Sequence, residues 1–280
     1  MRLISFLYEG TQHFGALVGD KVADFTALAP AGVVDLRSAI AAGVLADLAA
    51  KATPSLKLAE VTLLPVIPNP GKILCVGHNY ENHRQETGRA KVANPSIFTR
   101  FADTLVAAGQ PILRPRHSTH LDFEGELAVI IGKGGRDIPA EQALDHVAGY
   151  ACFNDASVRD WQWHTQQFTP GKNFPATGGF GPALVTPDEV GDYRDTSVTT
   201  RLNGQVVQSQ PTADMIFPIA TIIAYVSAFT PLSPGDVIAT GTPGGVGAKR
   251  EPPLWMKPGD VVEVDIPGIG LLRNTIADAA

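Results

Sequence analysis

Between Leu63 and Pro70 the chain reads Leu-Leu-Pro-Val-Ile-Pro-Asn-Pro, and no other stretch limits the fold as much. Proline has no amide hydrogen and a fixed φ, so neither a helix interior nor a central strand passes through Pro65, Pro68 and Pro70. The passage predicts a boundary between a small N-terminal domain, residues 1–69, and a larger domain, residues 70–280. Glycine (28) and proline (22) are abundant along the whole chain, which calls for many turns and hence many short strands. With 44% hydrophobic residues the 280-residue chain can bury a full core.

Before the boundary, 3–6, 13–18 and 21–25 are strand-like runs separated by glycine turns, and over 34–50 the apolar spacing becomes helical. Beyond it, strands are expected at 72–77, 96–99, 126–131, 148–154, 183–186, 198–202, 236–240 and 260–266. Helices are expected at 82–87, 140–146, within 157–167, and at 215–229. The fold class predicted is α+β and strand-rich.

A formal net charge of -6 and a pI near 5.6 argue against nucleic acid or an anionic membrane surface as partner. Cys75 and Cys152 lie in apolar runs and read as buried free thiols in a reducing compartment. No run approaches the roughly 18 apolar residues of a membrane span, and no secretory signal opens the chain, so a cytoplasmic location is expected.

Candidate chemistry begins at Leu121–Ile131. If this is one strand, Glu124 and Glu126 share a face. Two close carboxylates repel unless a cation lies between them, and oxygen ligands favour Mg²⁺, Mn²⁺ or Ca²⁺. Taken alone, such a pair is more often a solvated strand edge. Asp155 ends a buried run and reads equally as a third ligand or as a helix N-cap, with Asp160 as the competing carboxylate. No His/Cys cluster has zinc spacing.

His83 and Glu86 stand three apart, so one helical turn puts them side by side; a carboxylate-oriented imidazole suits a general base for water or for a C–H proton. The plain alternative is an exposed ion pair. His78, His117 and His120 carry no mark that sets them apart. Lys172, in a loop rich in Gly and Pro, would stabilise an enolate or a carboxylate if held near a metal. The glycine-rich turn at 240–247 lacks the Lys-Ser/Thr ending of a phosphate-binding loop.

Together these segments resemble the fumarylacetoacetate hydrolase superfamily. The motifs are Val76-Gly77-His78-Asn79-Tyr80-x-x-His83, Phe123-Glu124-Gly125-Glu126-Leu127-Ala128-Val129 and Asn154-Asp155-x-x-x-Arg159-Asp160-x-Gln162. They continue in order with Gly171-Lys172-x-Phe174, Met215-Ile216-Phe217, Leu232-x-Pro234-Gly235-Asp236-Val237-Ile238 and Thr240-Gly241-Thr242-Pro243-x-Gly245-Val246-Gly247. The resemblance implies a mixed β-roll or β-sandwich catalytic domain, a small N-terminal α/β domain and usually a homodimer. It places Mg²⁺ or Mn²⁺ on Glu124, Glu126 and Asp155, makes His83 and Glu86 the dyad that activates water, and gives Arg159, Gln162, Lys172 and Thr242 substrate-binding or charge-stabilising roles. One departure is Pro175-Ala176-Thr177, where members often carry an acidic residue and Thr.

The activity expected is metal-dependent hydrolysis of a C–C bond in an acylpyruvate-like or 2,4-dioxo acid, within aromatic or sugar-acid catabolism. The same constellation also runs isomerisation, hydration or decarboxylation of related 2-oxo acids. A non-catalytic relative that binds a small acid is the remaining alternative.

Overall fold

The computed structural model describes residues 1–280. Twelve strands form one sheet. Its main path runs through Leu56–Lys57, Lys21–Asp24, Thr11–Val18, Arg2–Tyr8, Gly178–Val185, Val147–Asp155, Gly125–Ile131, Val237–Ala239, Ile73–Gly77 and Ser96–Arg100. A five-stranded sheet, ordered Gln205–Pro211, Ser197–Leu202, Val261–Ile266, Gly270–Asp278 and Ile112–Arg114, packs beside it. The fold is α+β and strand-rich, as the turn-heavy composition requires.

Gly125–Ile131 is buried along its whole length because both of its faces are covered. Leu127, Val129 and Ile131 join the core beneath the helix Ile219–Phe229, while Ala128 and Ile130 join the core around Phe14, Phe25, Leu36 and Phe153. That second core draws on residues from both sides of the proline-rich stretch. The sheet does the same, since Arg2 and Leu3 pair with Val185 and Leu184. The expected division at residue 69 falls in the irregular passage between Leu63 and Ile73, and sheet and core are continuous across it.

Several elements differ from the sequence expectation. The helical stretch 34–50 is two helices, Leu36–Ala42 and Leu45–Lys51, because Gly43 adopts a left-handed φ of 67° and ends the first. The segment expected as a helix at 140–146 is 3₁₀. The helix expected at 215–229 starts at Ile219, after Pro218; the amides of Ile216 and Phe217 instead bond to Asn79 O and Asn79 Oδ1. Leu121–Ile131 is broken into Leu121–Asp122 and Gly125–Ile131. Strands Gln205–Pro211 and Gly270–Asp278 had no apolar run to announce them: along the latter the buried positions are Leu272, Asn274 and Ile276. No helix is long and apolar enough to cross a membrane.

Candidate active site

The carboxylates gather where two neighbouring strands end. Gly125 pairs with Asn154 and Glu126 with Phe153, and the Asp155 amide donates to Glu124 O at 2.8 Å. Glu126 has the parity of Ala128 and Ile130, and Asp155 that of Ala151 and Phe153, so both leave the same face of the sheet. Glu124, Glu126 and Asp155 each offer a ligand atom within 4.8 Å of the others, and all three are buried. Asp155 is not a cap: the following helix, Arg159–Gln162, has no side-chain cap. Asp160 lies apart, bonded to Ser118 Oγ.

Three cations share this interior. Lys172 Nζ donates to Glu124 Oε2 and to Asp155 Oδ2, both at 2.6 Å. Arg100 Nη1 donates to Asp155 Oδ1 at 2.5 Å. Arg159 Nε donates to Asp122 Oδ2 at 2.8 Å, while its Nη2 lies 2.7 Å from Glu124 Oε1 as an ion pair without hydrogen-bond alignment. Burial pushes the Glu124 carboxyl up, but the Lys172 and Arg159 charges more than reverse this and hold it well below the usual range. For Lys172, burial favours the neutral amine, yet Asp155 and Glu124 outweigh it and keep the ammonium charged.

Glu126 has no cationic partner; its Oε2 accepts from the Gly241 amide at 2.8 Å. Burial, then the charges of Asp155 and Glu124, raises its carboxyl well above the ordinary value. With Asp122, the buried cluster holds four carboxylates against Arg100, Arg159 and Lys172. An excess of negative charge centred on Glu126, with only oxygen donors, fits a hard divalent cation on Glu124, Glu126 and Asp155.

The proposed base sits on the short helix Glu81–Glu86. His83 is buried, and its Nδ1 lies 2.7 Å from Glu86 Oε1, whose other oxygen accepts from the Gly245 amide at 2.8 Å. A carboxylate only accepts, so in the neutral ring Nδ1 is the protonated nitrogen and Nε2 the one with the lone pair. This is not the exposed ion pair of the alternative reading. Asn82 Oδ1 accepts from the Gly244 amide at 3.0 Å, tying the helix to the glycine-rich turn. His78 stacks on His83 with ring centroids 5.3 Å apart; burial, then the neighbouring His83, lowers its pKa to about 4, so it is neutral near pH 7.

A cavity of about 340 Å³ brings together His83, Glu124, Glu126, Arg159, Gln162, Lys172 and Thr242. Of the other expected site residues, Glu86 lies behind His83 and Asp155 behind Lys172. Gln162 Oε1 accepts from Arg159 Nη1, leaving its amide nitrogen unengaged. The Thr242 hydroxyl is already used, donating to Gly125 O and accepting from Gln208 Nε2. In the departing Pro175-Ala176-Thr177 segment, Thr177 Oγ1 accepts from Arg100 Nη2.

Sequence reasoning missed Arg100 and Asp122. Arg100 ends an otherwise ordinary strand, and nothing local marks it as buried. Asp122 did carry a signal, a carboxylate inside the apolar run already in view. It accepts from the amides of Gly247 and Ala248 as well as from Arg159, and so fixes the glycine-rich turn against the cage.

This chain is 43% identical to human oxaloacetate tautomerase FAHD2A, mitochondrial, over 225 residues, 80% of this chain and 72% of the relative. It is 42% identical to the mitochondrial oxaloacetate tautomerase fahd2 of Xenopus laevis over 223 residues, covering 79% and 70%. Among solved structures it superposes on the fumarylacetoacetate hydrolase of Exiguobacterium antarcticum with a TM-score of 0.88 at 37% identity, each chain covered in full. Maleylpyruvate hydrolase from Sphingobium sp. SYK-6, in complex with manganese(II) and pyruvate, gives a TM-score of 0.83 at 30% identity, also over the whole of both chains. The family description of the fumarylacetoacetate (FAA) hydrolase C-terminal domain matches residues 72–277, and the chain belongs to that family.

Proposed function

We propose that the chain is a divalent-metal-dependent enzyme that moves a proton at the carbon beside the carbonyl of a small 2-oxo acid, interconverting its keto and enol forms. The observation that carries this is the buried His83, oriented through Nδ1 by Glu86 and sharing one cavity with Glu124, Glu126 and Lys172. When bound on Glu124, Glu126 and Asp155, Mg²⁺ or Mn²⁺ supplies Lewis-acid polarisation of the carbonyl. His83 takes the C–H proton at Nε2, and Glu86 stabilises the imidazolium that forms. The electron pair left behind moves toward the carbonyl oxygen, where Lys172 supports the negative charge. Return of a proton to oxygen gives the enol, and to carbon the ketone. Arg159 and the free amide of Gln162 orient the substrate carboxylate; Thr242 contributes through the turn it anchors.

The likeness to oxaloacetate tautomerases supports this reading over the others. The second reading is C–C hydrolysis, in which Nε2 takes the proton of a water attacking the distal carbonyl of an acylpyruvate. The likeness to maleylpyruvate hydrolase favours it. A homodimer is proposed for either. The test uses metal-stripped protein with oxaloacetate and with acetylpyruvate, before and after adding Mg²⁺ or Mn²⁺. Metal-dependent loss of the enol absorbance of oxaloacetate without pyruvate release supports tautomerisation. Pyruvate release from acetylpyruvate establishes hydrolysis instead, and no metal-dependent change in either overturns both.

A further inference from the structure

His78 lies between two fixed points of the chain. On one side Gly77 ends the strand Ile73–Gly77, paired with Ser96. On the other, Asn79 is clamped: its Nδ2 donates to Thr240 O at 2.7 Å and to Phe217 O at 3.1 Å, and its Oδ1 accepts from the Phe217 amide at 2.7 Å. The backbone crosses from one to the other with a left-handed φ of 57° at His78, a strained conformation for a non-glycine residue. Glycine would take that turn at no steric cost, yet the chain carries an imidazole there, on the wall of the catalytic cavity.

That imidazole is one layer in a column of rings. Its plane lies 13° from that of His83, with centroids 5.3 Å apart. Phe168 packs on His78 in an edge contact at 6.1 Å, and Phe98 on Phe168 at 5.6 Å. The column ends at Lys172, whose Nζ lies 5.0 Å from the Phe98 ring centroid. Glu86 holds His83 by a single bond at Nδ1, and a single bond lets a ring pivot about it and carry Nε2 out of line. A near-parallel ring against its face removes that freedom. Because His78 is neutral near pH 7, the imidazolium that forms on His83 meets a π face and not a second positive charge.

We propose that His78 is a positioning residue for proton transfer at His83: its ring, backed by Phe168 and Phe98, sets the plane in which the Nε2 lone pair meets the substrate. It acts through His83 and takes no proton itself. This deepens the proposed function and rests on it for the role of His83 as base, while the restraint on the His83 ring does not depend on which acid reacts.

The test compares His78→Asn, which tolerates the positive φ and removes the ring, with His78→Phe, which keeps a ring and removes the nitrogens. On whichever of oxaloacetate and acetylpyruvate the Mg²⁺-loaded protein turns over, His78→Asn should lower kcat by about 10- to 100-fold, the cost of a misaligned reacting pair, with KM within about twofold of wild type. His78→Phe should recover most of that loss, although Phe is the less comfortable residue at this φ and a ranking set by backbone stability alone would run the other way. Nitrogen NMR gives a readout that needs no turnover. The His83 Nδ1–H signal, assigned by its loss in His83→Gln, should persist in wild type and His78→Phe and vanish through solvent exchange in His78→Asn. Unchanged kcat in His78→Asn overturns the proposal. So does a loss that falls on KM, or His78→Phe as slow as His78→Asn, because either would mark a ring nitrogen in contact with substrate. If wild type turns over neither acid, the proposed function fails by itself; the Nδ1–H signal then decides, and equal protection in His78→Asn and wild type overturns the positioning role.

Discussion

His83 is separated from every other expected site residue except Glu86 by at least forty positions, yet its ring is buried in the same cavity as the carboxylates. Replacing it with Ala should lower kcat on oxaloacetate or acetylpyruvate by about 10²- to 10⁴-fold, the usual loss on removing a general base. Calorimetric metal affinity should change little, because His83 bonds to none of the three carboxylates. Unchanged kcat would remove His83 from the mechanism. Glu126 gives a second prediction. Its carboxyl holds a proton more tightly in the folded state than in the unfolded chain, so stability of the metal-free protein falls as pH rises above the ordinary carboxylate value. Glu126→Gln should therefore raise the Tm of chelator-treated protein at pH 7 by about 2–4 °C. The same change should abolish the Tm increase that Mg²⁺ gives wild type; thermal melts with and without metal check both signs. At this scale residue types and spacing raised Glu124, Glu126, His83 and Lys172 only as candidates, each with a plainer reading beside it, and the family resemblance gave them their expected roles. Arg100 and Asp122 escaped because the partners that make them necessary lie 55 and 37 residues away.

Elements were legible wherever their apolar pattern was local. Gly125–Ile131 and Val147–Asp155 read directly from their apolar runs, whereas Gly270–Asp278 hides an Asn among its inward positions. The break at Phe123 and Glu124 is the informative failure. A Cβ on Gly125 would lie 2.0 Å from Thr200 Oγ1, so the chain approaches the neighbouring sheet there too closely for any side chain. Gly125→Ala should therefore destabilise the protein by about 1–3 kcal/mol, read from the urea midpoint. Because Gly125 stands between Glu124 and Glu126, metal affinity should fall with it. A variant matching wild type in both would show that the two sheets can part without cost to the cage.

The whole molecule was least legible. The prolines from Pro65 to Pro70 mark an irregular passage, but they give no sign that Arg2–Tyr8 returns to pair with Gly178–Val185, because register between distant strands is not written in either one. The shared core makes a prediction at this scale. A chain of residues 70–280 alone would expose the edge of Gly178–Val185 and the apolar surface around Phe153 and Phe180, so it should be insoluble or bind a hydrophobic dye, while the full chain unfolds in one transition. A soluble, metal-binding fragment would contradict this. The same interior also ties a loop to the sheet. Lys172 bridges Glu124 and Asp155, so one ammonium joins the end of Thr169–Lys172 to residues at the ends of two strands. Neutralising that side chain would take one shared cation from two buried carboxylates and loosen both strand ends from the loop at once. Whatever moves the loop at 169–172 therefore reaches the ends of both strands through a single side chain.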